Sequence, residues 1–305
     1  MRERILLLIN TLSGAGNGRR DLAQIIECFS LEGCEVTTYP ITHEMNYTID
    51  EILKERAHDF DKVVCYGGDG TLNYLVNSLM RNDIHMPIGY IPGGSTNDFS
   101  KCFDETKTIE EKCKAIAHGE LFSYDLGHFN HKQYFNYVAA FGAFTDTSYK
   151  TNTAAKNVLG YGAYALSALA NLAETFSFRI GMRIEHDGVI EEGSFIYGGI
   201  SNSLSVGGMK LPYFKDTSLD DGYFEVLLVR APDNVVDVAN ILNDLSQGIM
   251  DEKYVYSFKA KHILIEAEDN ITWTLDGEYG GSSRKTEIEV IPKAIPICIQ
   301  AKTER

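Results

Sequence analysis

Residues 63–73 read VVCYGGDGTLN, and residues 90–100 read YIPGGSTNDFS. Each is a short apolar run, then a glycine turn carrying Asp or Asn, then a polar residue able to start a helix. No other feature of the chain restricts the fold as much. A continuously apolar run of this length suits a parallel strand covered on both faces. A strand ending in such a turn leaves backbone N–H groups free to face an anion. Two such turns close together in sequence point to one phosphate-handling crevice at the ends of neighbouring strands.

The same rhythm extends on both sides of the pair. Residues 5–9 are apolar throughout, and a glycine-rich stretch, 10–18, follows and reads as a turn. Residues 21–29 have helical spacing, with Leu22, Ile25, Ile26 and Phe29 on one face. Strands are expected at 35–40, 62–66 and 88–91, and helices at 49–58 and 72–80. Alternating strands and helices predict a doubly wound, mostly parallel α/β domain over residues 1–124.

Beyond it the apolar residues alternate at period two: Phe135, Tyr137 and Ala139; Phe224, Val226 and Leu228; Ile271, Trp273 and Leu275; Ile288 and Val290. Asp187-Gly188, Asp221-Gly222 and Asp276-Gly277 supply turn signals between such runs. An antiparallel, sandwich-like second domain is expected over 125–294, interrupted by a helix at 159–175. That helix is rich in small residues (Gly160, Gly162, Ala163, Ala165, Ala168) and reads as packing or as one wall of an apolar substrate cleft.

Charge narrows the partners. The formal net charge of the 305-residue chain is −15, which leaves no general positive field for nucleic acid and none for wholesale adsorption to an anionic bilayer. The six cysteines lack CxxC spacing, so buried, reduced thiols in a cytoplasmic protein are expected. The opening apolar run is too short for a signal segment, and no stretch is long enough to span a membrane.

The motifs differ in strength. In Gly67-Gly68-Asp69-Gly70-Thr71 the glycines allow close approach of backbone to phosphate. Asp69 is suited to Mg²⁺, to water or to fixing the loop, and Thr71 to capping a helix or donating to a phosphate oxygen. Leu72 and Asn73 complete the loop. Gly94-Ser95-Thr96-Asn97-Asp98 offers hydroxyls and loop-orienting side chains. Gly14, Gly16 and Gly18 lack the GK[ST] ending of a P-loop. Asp276-Gly277-Glu278 reads, taken alone, as a solvated hairpin turn. Ser218-Leu-Asp-Asp-Gly-Tyr223 reads equally as a hairpin entry turn or as oxygen donors for a hard cation.

Taken in order, these motifs resemble the diacylglycerol kinase catalytic superfamily, and within it the bacterial soluble lipid kinases. That family carries Asn-Pro-x-Ser-Gly, GGDGT, Gly-Thr-x-Asn-Asp-Phe, a metal turn ending in Asp-Gly, and a late Asp-Gly-Glu. Here the counterparts are Asn10–Gly14, Gly67–Thr71, Gly94–Phe99, Ser218–Tyr223 and Asp276–Glu278, with Thr11 in place of Pro and Ser95 in place of Thr.

The resemblance implies an N-terminal nucleotide-binding domain, to which residues 295–305 return, and a C-terminal β-sandwich lipid domain. It implies that Asn10, Ser13, Gly14, Thr42, the loop 67–73, Ser95, Asn97 and Asp98 hold ATP, with Asp69 supporting Mg²⁺. By the same carry-over, Asp276 or Glu278 is the base, and Ser218, Asp221 and Tyr223 form a structural Mg²⁺ site. The expected activity is phosphorylation of a neutral lipid, diacylglycerol first, with transient peripheral contact at the membrane surface and room for a homodimer. Kinases of a sphingoid base, phosphatidylglycerol or NAD, and a non-catalytic nucleotide- or lipid-binding regulator, are the competing readings.

Overall fold

The computed structural model describes residues 2–42, 44–94, 97–103, 108–142, 179–203, 205–206, 209–210, 217–247 and 253–301. The helix expected at 159–175 lies outside them. The N-terminal lobe is built on four strands: β1 (Arg4–Asn10), β2 (Glu35–Ile41), β3 (Lys62–Gly67) and β4 (Ile88–Pro92). They pair in parallel in the order β2-β1-β3-β4. Four helices cover them: α1 (Ser13–Leu31), α2 (Ile49–Arg56), α3 (Asp69–Arg81) and α4 (Ile109–His118).

Alternation along β1 shows why its run is wholly apolar. Leu6 and Leu8 pack with α2 and α3, through Ile52, Leu53, Leu72 and Leu75. Ile5, Leu7 and Ile9 face the other way, onto Ile25 and Phe29 of α1 and Ile116 of α4. A strand covered on both sides has no solvent face on which a polar residue would be favourable. Helices α2 and α4 each begin at a capping box, Thr48 with Glu51 and Thr108 with Glu111, which satisfies backbone donors the helix cannot.

The glycine-rich stretch 10–18 departs from its sequence reading. It is not a turn throughout: α1 starts at Ser13, so Gly14, Gly16 and Gly18 are helical. A Cβ on Gly18 would lie 2.5 Å from the Asn10 carbonyl oxygen. Close packing of the helix start against the end of β1 explains a residue that helix propensity disfavours there.

The rest is mostly antiparallel: β5 (Glu120–Phe129), β6 (Gln133–Phe135), β7 (Val138–Gly142), β8 (Ile180–His186), β9 (Val189–Ser201), β10 (Ser205–Val206), β11 (Met209–Lys210), β12 (Phe224–Arg230), β13 (Val255–Ala260), β14 (His262–Leu275) and β15 (Glu278–Ile299). β7 and β8 each pair with both β9 and β14, so the sheet closes on itself. Inside lie Phe135, Phe141, Phe195, Phe224 and Trp273. Every residue of β12 except Arg230 is buried: Phe224, Val226 and Leu228 lie in the interior cluster, and α5 (Val235–Gln247), absent from the sequence expectations, lays Val238 and Ile241 over Leu227 and Val229.

One strand joins the lobes. β15 pairs with β14, then with β5, and near its end with β4 through Ile297 opposite Ile88. The turn between β14 and β15 is thereby held at the carboxyl ends of the parallel strands.

Candidate active site

The loops after β1, β3 and β4 are bonded into one surface. Gly93 N donates to Gly67 O (2.8 Å), Ser13 Oγ to Gly93 O (2.9 Å) and Asn10 Nδ2 to Thr71 Oγ1 (3.1 Å). Asn97, in the left-handed region (φ 49°), accepts from Gly94 N and donates back to Gly94 O. Asp69 ties the two glycine turns together. Its Oδ2 accepts from Asp98 N (2.9 Å) and its Oδ1 from Phe99 N (3.3 Å). Burial pushes the Asp69 carboxyl above the ordinary aspartate range, and those two N–H donors pull against it. Two glycines are sterically required: a Cβ on Gly67 would lie 2.6 Å from Thr71 Oγ1, and one on Gly94 would lie 2.6 Å from Gly68 Cα.

Helix α3 starts in this surface. Its N-cap, Gly68, has no side chain, and no side chain caps the helix. Thr71 N donates to Gly68 O (3.0 Å), so the N–H groups of Asp69 and Gly70 and the positive end of the dipole are left for an anion. A glycine-lined cradle at an uncapped N-terminus fits the phosphates of a nucleotide.

The Asp276-Gly277 turn is a hairpin, as its sequence suggests, with both residues at positive φ (50° and 87°). Gly277 is exposed, but the aspartate is not. Asp276 is only 4% exposed, and its carboxylate accepts five N–H bonds. Oδ2 takes Asn136 N (2.7 Å), Asn73 Nδ2 (2.8 Å) and Asn136 Nδ2 (2.9 Å). Oδ1 takes Tyr137 N (2.9 Å) and Val138 N (3.1 Å). Burial raises its pKa while these donors oppose the rise. A carboxylate has about four lone-pair sites, so Asp276 has none left for a substrate proton. Glu278, next in the turn, is exposed. Its Oε1 lies 3.3 Å from where a Cβ on Gly70 would stand, which places it over the first turn of α3.

The remaining sequence candidates are placed as follows. Thr42 follows β2 at the same edge, with its N–H on Met45 Sδ (3.0 Å). Leu72 is fully buried in the core beneath α3 and faces away from the crevice. Asp98 is buried and ion-paired to Lys101 (2.8 Å). Ser95 lies outside the described residues. Ser218, Asp221 and Tyr223 share one turn, but Asp221 is already engaged by Lys259 Nζ (2.8 Å) and Tyr223 N (3.0 Å). The Lys259 ammonium meets the charge that a cation there would otherwise meet, so the turn is a poor fit to Mg²⁺.

Sequence reasoning missed Asn77 and Asn136. Asn77 Nδ2 donates to Tyr134 O (2.8 Å) and its Oδ1 accepts from Tyr134 N (2.9 Å), which fastens α3 to β6. The only signal was its spacing, one turn after Asn73 on the same helix face. Asn136 had none, because its partner is 140 residues away.

The sequence profile described as the diacylglycerol kinase catalytic domain matches residues 4–129. That described as the YegS C-terminal NAD kinase beta sandwich-like domain matches residues 138–299. A diacylglycerol kinase of Staphylococcus carnosus (strain TM300) is 30% identical over 92% of this chain and 90% of its own. One from Staphylococcus aureus (strain MRSA252) is 30% identical over 92% and 88%. A crystal structure described as a diacylglycerol kinase from Bacillus anthracis Sterne superposes with a TM-score of 0.75, at 20% identity over 98% of this chain and 97% of that one.

Proposed function

The chain belongs to the diacylglycerol kinase catalytic-domain family, and from that premise we propose an ATP-dependent lipid kinase that phosphorylates the hydroxyl of diacylglycerol. The observation that carries the reading is Glu278 of the β-rich lobe standing over Gly70 at the uncapped start of α3. A phosphate seat and a free carboxylate, contributed by different lobes, face the same point.

In this reading the N–H groups of Gly68–Gly70 and the start of α3 hold the γ-phosphoryl group. Asn10 orients the Thr71 hydroxyl, and Asp69 holds the second glycine turn against the first. Mg²⁺, arriving with ATP, would neutralise charge on the transferring oxygens. The acceptor oxygen forms a bond to the γ-phosphorus as the bridging P–O bond to ADP breaks. The hydroxyl is barely acidic, so its proton leaves late, to the Glu278 carboxylate. Asp276 is a positioning residue. It locks the hairpin that carries Glu278 and binds Asn73 of α3, fixing the distance between seat and base.

The test is transfer of label from γ-labelled ATP in mixed micelles containing diacylglycerol, with NAD, a sphingoid base and phosphatidylglycerol as parallel acceptors. Labelled phosphatidic acid is expected. Labelling of another acceptor instead would reassign the substrate, and tight nucleotide binding with no labelled product would support a regulator.

A further inference from the structure

Among the described residues, His128, His131 and Glu289 bring one ligand atom each within 4.8 Å of the others, and no step of the proposed reaction uses them. We propose that they form a binding site for a borderline transition-metal ion, Zn²⁺ above all, on the outer face of the β5–β6 hairpin.

The strand register builds the cluster. On β15, Glu289 stands directly opposite His128 of β5 and His262 of β14. Asn130 and His131 both have positive φ (51° and 56°) in the turn between β5 and β6. This conformation folds the His131 ring back to 5.6 Å from the His128 ring, near perpendicular to it. The turn is anchored without any metal, because Asn130 N donates to Glu287 O (2.8 Å) and Glu287 N to Asn130 Oδ1 (2.8 Å).

An outer layer is also present. Glu287 Oε2 lies 3.0 Å from His131 Nε2, and Glu287 Oε1 lies 2.7 Å from His262 Nε2. A carboxylate on one ring nitrogen leaves the other as ligand and fixes the ring, the usual support of a metal-bound histidine. His128 is stacked on Tyr134, with ring centroids 4.5 Å apart and planes 7° from parallel.

Two imidazoles and a carboxylate suit Zn²⁺, Ni²⁺ or Co²⁺, with one position left for water. They do not suit Mg²⁺, which takes oxygen ligands. Tetrahedral Zn²⁺ needs ligand atoms about 3.3 Å apart, so the side chains, two of them exposed, close by up to about 1.5 Å on binding. Bound metal would fasten the hairpin whose second strand leads to Asn136 and so to the donors on Asp276.

The test is calorimetric titration of the chelator-treated full chain with Zn²⁺ in excess Mg²⁺, with X-ray absorption at the zinc edge. One saturable site per chain with nitrogen and oxygen scattering is expected. It should weaken at least about tenfold in His131→Asn, which keeps a residue tolerant of positive φ, and also in Glu289→Gln. Circular dichroism confirms that both variants fold. Binding unchanged in both variants, sulfur scattering from the cysteines, displacement by Mg²⁺, or no saturable binding would each overturn the proposal.

Discussion

Asp276 and Glu278 are separated by one glycine and sit in opposite environments, so the two carboxylates must respond differently to the same change. In Asp276→Asn an amide NH₂ faces N–H donors that previously met a carboxylate oxygen. Each buried group left unpaired costs about 1–3 kcal/mol, so a loss on the order of 2–4 kcal/mol is expected in urea unfolding, with turnover falling as the hairpin loosens. In Glu278→Gln no buried partner is lost. Stability should match the parent chain, while single-turnover transfer to diacylglycerol falls about 10²–10⁴-fold, the usual range for a general base. An active, stable Glu278→Gln chain would remove Glu278 from the mechanism. A Cβ at Gly70 would stand against Glu278, so Gly70→Ala should slow transfer without unfolding the chain.

At the scale of elements, α3 works at its start and along one face. Its start faces the crevice, and Asn73 and Asn77 fasten its second and third turns to Asp276 and Tyr134. Asn77→Ala leaves the Tyr134 N–H without that acceptor and should cost about 2 kcal/mol, lowering turnover more than nucleotide affinity. Helix α5 carries a pH-dependent contact. Tyr254 OH donates to Asp237 Oδ1 (2.7 Å) and, as the largest cause, lowers the Asp237 pKa from its ordinary 3.8. A depressed carboxylate stabilises the fold above its unfolded pKa and loses that contribution as pH falls through the folded value. The difference in urea midpoint between the parent and Asp237→Asn should therefore be present at neutral pH and close below about pH 4.

These elements also show what the sequence made legible. The glycine turns after β3 and β4 were readable because an apolar strand, a turn and a helix start are consecutive in the chain. Gly18 misled because its reason is contact with the Asn10 carbonyl, which no local pattern carries. α5 went unread although Val235, Val238, Leu242 and Leu245 recur at helical spacing. Asp276 read as a solvated turn because all five of its donors come from distant segments.

At the scale of the whole molecule, β15 makes the two lobes one sheet, so relative motion of seat and base must bend that strand or the hairpin before it. No helix among the described residues is long and apolar enough to cross a membrane. The lipid acceptor proposed above would bring the chain to a bilayer surface. The net charge of −15 then opposes approach to an anionic leaflet, whose surface potential repels a like-charged body within about a Debye length. Raising ionic strength from about 0.01 to 0.15 M shortens that length from about 30 to 8 Å. Binding to vesicles rich in phosphatidylglycerol should therefore strengthen with salt, the reverse of proteins that dock through basic patches, while binding to neutral phosphatidylcholine vesicles stays flat. Vesicle co-sedimentation at both ionic strengths reads this directly. Binding that weakens with salt on the anionic vesicles would mean that a local basic face, against the net charge, carries the docking.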